Sequence, residues 1–129
     1  MNNTDRFMQE EFLPFYKRVS DAFEQNHPMI FSGISSFFSG KKTLIGMRLM
    51  DNDCLLGDYT LHLEGAKITH LENRVLLSEI STPFGVIKPY AILEKRTIEK
   101  MIQDEPDFIE HPFATKLKYM HDTTIKFLK

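Results

Sequence analysis

Between Asp58 and Glu64 apolar and polar residues alternate without a break: Tyr59, Leu61 and Leu63 fall on one side, Thr60, His62 and Glu64 on the other. A period of two sends successive side chains to opposite faces, so this stretch predicts a strand with one buried face. Glu64-Gly65-Ala66 predicts a tight turn, because Gly65 accepts the positive φ that hairpin loops often need. Ile68 to Leu71 returns as the next strand. Upstream, Thr43 to Met50 places Ile45, Met47 and Leu49 on one side and predicts the first strand, joined to the second by a loop over Asp51 to Gly57.

From Ile68 to Ile80 the pattern leaves two readings. Thr69-His70-Leu71-Glu72 has the spacing of a capping box, with Ile68, Leu71 and Val75 on one helical face. The preferred alternative is a turn at Glu72-Asn73 followed by a strand through Val75, Leu76, Leu77 and Ile80, stopped by Ser81-Thr82-Pro83.

The flanks carry the helical period. Met8, Phe12, Phe15, Val19, Ala22 and Phe23 recur at steps that define one face over Asp5 to Gln25, with Thr4 or Asp5 as cap. Pro14 either kinks this helix or divides it in two. Pro28 to Phe38 predicts a second, looser helix, closed by a turn over Ser39-Gly40-Lys41-Lys42. Thr82-Pro83 predicts a short helix start limited by Gly85 and Pro89, and Tyr90 to Asp104, rich in helix formers, a longer helix ended by Glu105-Pro106. Asp107 to Phe113 is a loop or a further helical turn, Ala114 to Met120 a last strand, and Thr123 to Leu128 a final short helix capped by Asp122. With no internal repeat, low-complexity tract or linker, residues 1–129 form a single domain: helices over 1–42, the sheet over 43–81, and helices with the last strand over 82–129.

Composition narrows the function classes. The chain has 129 residues, 42% hydrophobic and 26% charged, which suits a globular α+β domain with its own core. Net charge is −2, and the basic residues are scattered, so a nucleic-acid partner is not expected. The single cysteine, Cys54, excludes an internal disulfide and suggests a reducing, cytoplasmic setting. No secretion signal and no apolar run near the roughly 20 residues of a membrane span is visible. Eleven Phe and seven Met without Trp indicate a bulky, adaptable core or a pocket wall that re-packs around apolar ligands.

Candidate chemistry is thin. His62, Glu64 and His70 approach one another across the predicted hairpin, but their spacing matches no metal pattern, and solvent-facing strand residues account for them better. Asp51-Asn52-Asp53 starts like a calcium loop, but Leu56 and His62 stand where Gly and Glu are required. No nucleophile elbow, P-loop or dinucleotide fingerprint occurs, so neither catalytic residues nor a cofactor or metal site are assigned.

Tyr59-Thr60-Leu61-His62-Leu63-Glu64-Gly65-Ala66-Lys67-Ile68, then Ser81-Thr82-Pro83-Phe84, then Phe113 with Lys116-Leu117-Lys118-Tyr119-Met120-His121-Asp122, resemble the strand–turn–strand, strand-to-helix and closing segments of the sterol carrier protein 2 (SCP2-like) family. The resemblance covers roughly residues 30–129. It implies an α+β fold with an about five-stranded, mainly antiparallel sheet, helices packed on one face, and an enclosed apolar tunnel. It also implies non-catalytic binding or carriage of a fatty acyl chain, sterol or other lipid. His121 replaces the family's Gly before Asp122, the segment from Pro83 to Pro89 is longer than the family pattern, and Phe127-Leu128-Lys129 is not a peroxisomal address. On this reading Ile45, Met47, Leu49, Tyr59, Leu61 and Leu63 contact the ligand chain, and Met101, Ile102 and Phe113 close the cavity. The rival reading is a homodimeric interaction module with a filled core, using the Pro83–Pro89 segment or a sheet edge. An unrecognised enzyme is third, and a pocket gathering His62, His70 or His111 with a carboxylate would support it.

Overall fold

A computed structural model describes residues 2–38 and 42–129. The chain opens with α1 (Asn3–Phe7), a π-helical turn over Met8–Phe12, and α2 (Leu13–Asn26). Pro14 therefore neither ends the helix nor simply kinks it. The wider turn just before it lets the Leu13 N–H reach the Met8 carbonyl, in the stretch where a proline ring would collide with a regular α-helical carbonyl. Helix α3 (Pro28–Phe37) follows; the turn predicted over Ser39–Lys42 lies, except for Lys42, outside the described residues.

The strands are β1 (Lys42–Asp51), β2 (Cys54–Glu64), β3 (Lys67–Asn73), β4 (Ile80–Thr82), β5 (Gly85–Ile87), β6 (Pro89–Glu94) and β7 (Thr124–Phe127). Helices α4 (Lys95–Gln103), α5 (Glu105–Glu110) and α6 (Pro112–Met120) lie between β6 and β7. Five strands form a mixed sheet in the order β3-β2-β1-β6-β7, while β4 and β5 make a separate two-stranded hairpin. Within the sheet β1–β2, β2–β3 and β6–β7 are antiparallel and β1–β6 is parallel.

The register explains the core. Ile45 faces Leu61 and Met47 faces Tyr59, so the two apolar rows read from the alternation form one continuous face. Leu71 and Ala91 extend it through their pairings with Leu61 and Met47. Against this face pack Phe7, Met8, Phe12, Phe15, Ile98 and Phe108 of the helices, in one buried cluster. A sheet apolar on one face and covered by helices buries a single core.

Several elements differ from the sequence expectation. The loop over Asp51–Gly57 is a two-residue hairpin turn, with Asn52 at φ 49° and Asp53 at φ 70°, the geometry a type I′ turn requires. Ile68–Leu71 is the returning strand that was expected, not the capping-box helix of the alternative reading, because Leu71 and Ile68 pair with Leu61 and Leu63. No regular strand spans Val75–Ile80. Arg74, at φ 64°, turns the chain back across the outer face of the sheet, and pairing resumes at the Leu44–Glu79 bridge. Thr82-Pro83 opens no helix: Thr82 Oγ1 accepts from the Phe84 N–H and donates to the Gly85 carbonyl, closing the β4–β5 turn.

The largest corrections fall in the last third. Pro89–Glu94 is strand, not the start of a helix, because it lies parallel to β1 from Gly46 to Met50. Ala114–Met120 is helical rather than the last strand, with Thr115 and Tyr119 buried one turn apart. The final strand is Thr124–Phe127, where a helix was expected, pairing with β6 as an edge.

Candidate functional site

A cavity of about 650 Å³ lies between the helical layer and one end of the sheet. Its volume falls within the ~300–1,000 Å³ range of small-molecule sites. Helix α2 supplies Tyr16, Val19 and Phe23 to the wall, and α3 supplies Phe31 and Ile34, with Phe38 just beyond its end. The floor is Ile45 of β1 and Leu63 of β2. Met101, Phe108, Tyr119 and Met120 close the far side with Ile125 of the edge strand.

Local sequence places these groups. Tyr16, Val19 and Phe23 sit at helical steps of three and four, so α2 turns them to one side. The buried Phe31 anchors α3, while Met29, Ile30 and Phe37 of the same helix stay exposed. The C-terminal part of α3 is held to the β2–β3 turn, where Ser35 Oγ accepts from the Ala66 N–H at 3.2 Å. Gly65 carries the positive φ of that turn, 59°, and brings its backbone against Ser35.

Of the nine residues assigned to the site from sequence, Ile45, Leu63 and Met101 line the cavity. Met47, Leu49, Tyr59 and Leu61 lie instead in the filled part of the core, and Ile102 packs against that cluster. Phe113 is half exposed and rests edge-on against Phe23 at 5.8 Å and His27 at 5.8 Å, outside the lining. Each predicted row thus splits along its length. One end of the floor faces the cavity and the other is covered by Phe7, Met8 and Phe12. The wall from α2 and α3 was not among the assigned site residues. Its signal was present in α3, whose apolar residues exceed what one buried face needs.

Polar groups at the cavity are few. The Tyr119 hydroxyl donates to Asp104 Oδ2 and so points away from an apolar ligand. Burial first, and then the hydrogen bond to Asp104, pushes the Tyr119 phenol up to about 12. Thr123 Oγ1 donates to the Tyr119 carbonyl at 3.1 Å. Lys116 is the one charged residue on the lining among the described residues, with Nζ 6.0 Å from the centroid of the Phe23 ring.

The histidines lie elsewhere. His62 and His70 face each other across β2 and β3 with rings stacked at 4.0 Å, and His62 Nε2 lies 2.8 Å from Glu72 Oε1. Both alternate with the inward residues of their strands, so they occupy the outer face of the sheet. Among the described residues no three His, Cys, Asp or Glu side chains gather as a metal site, and none of His62, His70 or His111 lines the cavity. No helix among them is long and apolar enough to cross a membrane. No protein-family model matches the chain, and no curated protein matches its sequence.

Proposed function

We propose that this protein binds and carries a hydrophobic small molecule, such as a fatty acyl chain, a sterol or another lipid, without transforming it. The observation that carries the reading is the cavity of about 650 Å³, walled by aromatic and aliphatic side chains from α2, α3, α6 and the sheet. Burial of ligand apolar surface there contributes roughly 25 cal/mol per Å² before the ordering costs of binding. The SCP2-like resemblance of Tyr59–Ile68, which here forms strand, turn and strand, supports the same function.

The test is binding of Nile red, a neutral dye that brightens in apolar surroundings, followed by its displacement with single-chain lipids and a sterol. Saturable brightening reversed by at least one lipid is expected. Brightening that no lipid reverses contradicts carriage.

A second reading, a homodimeric interaction module, is favoured by the β4–β5 hairpin. Phe84 at its tip is 96% exposed, with Val86 and Ile87 also exposed. Sedimentation equilibrium at high concentration separates the readings. A dimer that Phe84→Ser disperses supports the second, and a monomer throughout counts against it.

A further inference from the structure

The wall of the cavity is apolar but not uniformly so, and its one charge has a defined place. Lys116 lies on α6 one turn before Met120, and both residues line the cavity. Its ammonium stands over the Phe23 ring, and Ser20, one turn earlier on α2, lines the same side. Among the described residues no carboxylate lies within the 4.0 Å of an ion pair to Lys116, and no Asp or Glu lines the cavity. The neighbouring Lys118, in contrast, is paired with Asp104 at 2.9 Å. Lys116 is also exposed, so its stem covers apolar wall while its head stays in water.

The geometry points to a single-chain amphiphile with an anionic head as the ligand of this cavity, its chain inside and its carboxylate or phosphate paired with Lys116 at the α2–α6 side. The Ser20 hydroxyl supplies a second donor to the same head. A neutral sterol or alcohol fills the apolar part equally well but leaves the ammonium unpaired, and a cationic head is repelled by it. Lys116 therefore sets the preference among ligands of equal chain, while the apolar wall supplies most of the affinity. This inference rests on the carriage function proposed above.

Nile red displacement with laurate, dodecyl phosphate, dodecanol and dodecyltrimethylammonium tests it, because the four share one chain and differ in head. At low salt at least one of the two anions is expected to bind about three- to tenfold more tightly than dodecanol, the range of a modest charge pair. The order of laurate and dodecyl phosphate tells a carboxylate head from a phosphate head. Lys116→Gln is expected to remove the advantage by lowering anion affinity more than dodecanol affinity, and added salt is expected to shrink it. Lys116→Glu is expected to rank dodecyltrimethylammonium above both anions. Equal binding of anions and dodecanol, or an anion preference that survives both substitutions, overturns the inference and leaves carriage standing. Failure of all four to displace the dye overturns both.

Discussion

Tyr59, in the middle of β2, donates its hydroxyl to Oδ1 of the buried Asp5 at 2.6 Å, tying the first helix to the centre of the sheet. The other carboxylate oxygen, Oδ2, accepts from Arg74 Nε at 3.2 Å, at the residue that turns the chain out of β3. Burial, reinforced by this hydrogen bond, pushes the Tyr59 phenol well above its ordinary range. Tyr59→Phe leaves a buried carboxylate with one partner fewer and is expected to cost about 1–3 kcal/mol in urea denaturation. In a double-mutant cycle, Asp5→Asn is expected to couple to it by about 1 kcal/mol or more. Additive effects contradict the pairing.

The middle of the sheet's outer face is covered by the segment between β3 and β4, and Thr60 and Gly46 hold it there. Thr60 Oγ1 donates to the Val75 carbonyl at 2.8 Å and accepts from the Leu77 N–H at 3.0 Å. A Cβ at Gly46 would stand 2.8 Å from the Leu77 carbonyl oxygen and 2.9 Å from Leu76 Cδ1. Gly46→Ala is therefore expected to destabilise by about 1–3 kcal/mol through overpacking against backbone. Thr60→Val is expected to cost about the same through two lost hydrogen bonds, and Thr60→Ser to restore most of it. Denaturation midpoints check all three.

At the α4–α6 corner, Tyr119 and Lys118 both reach Asp104. The phenol, pushed up to about 12 from an ordinary value of about 10, must stay neutral to donate. Its contribution to stability is thus complete below about pH 10 and is lost as pH rises through about 12. The Asp104 carboxyl is held below its ordinary range, first by the Tyr119 hydroxyl and then by Lys118. That contribution is present above about pH 4 and fades as pH falls through the lower folded value. Denaturation midpoints against pH are expected to fall at the alkaline end, less so in Tyr119→Phe and least in Tyr119→Phe with Tyr59→Phe. Asp104→Asn is expected to weaken the acid limb. An alkaline limb unchanged by Tyr119→Phe contradicts the account.

How much of this was visible in the sequence depends on how local each signal was. The alternation at Tyr59, Leu61 and Leu63, and that at Ile45, Met47 and Leu49, identified both central strands, because a strand with one buried face writes its period of two into its own residues and these two pair as a hairpin. Pro89–Glu94 misled because Ala91-Ile92-Leu93-Glu94 consists largely of helix formers. Its state is decided by parallel pairing with Gly46–Met50, more than forty residues upstream, and long-range pairing overrides propensity. Farther on, Ala114–Met120 and Thr124–Phe127 exchanged their expected states. At the site, period-two patterning showed which residues face inward but not what stands opposite. Leu63 and Leu61 look alike in sequence, and only the placement of α2 and α3 makes Leu63 cavity wall and Leu61 filled core.

Filling the cavity separates a ligand site from a packing defect. Val19 is half buried and lines the cavity from α2. Val19→Trp is expected to reduce lipid affinity by about tenfold or more while costing at most about 1–3 kcal/mol of stability, because the added bulk enters open space. Unchanged lipid binding in a folded Val19→Trp protein contradicts the location of the site.

The most direct measurement is native mass spectrometry of the protein purified gently from its own expression host, followed by identification of whatever dissociates from it. The account predicts a population carrying one apolar or amphipathic molecule, diminished in Val19→Trp. A wholly ligand-free spectrum, together with an experimental structure in which side chains fill the space between α2, α3, α6 and the sheet, would contradict it.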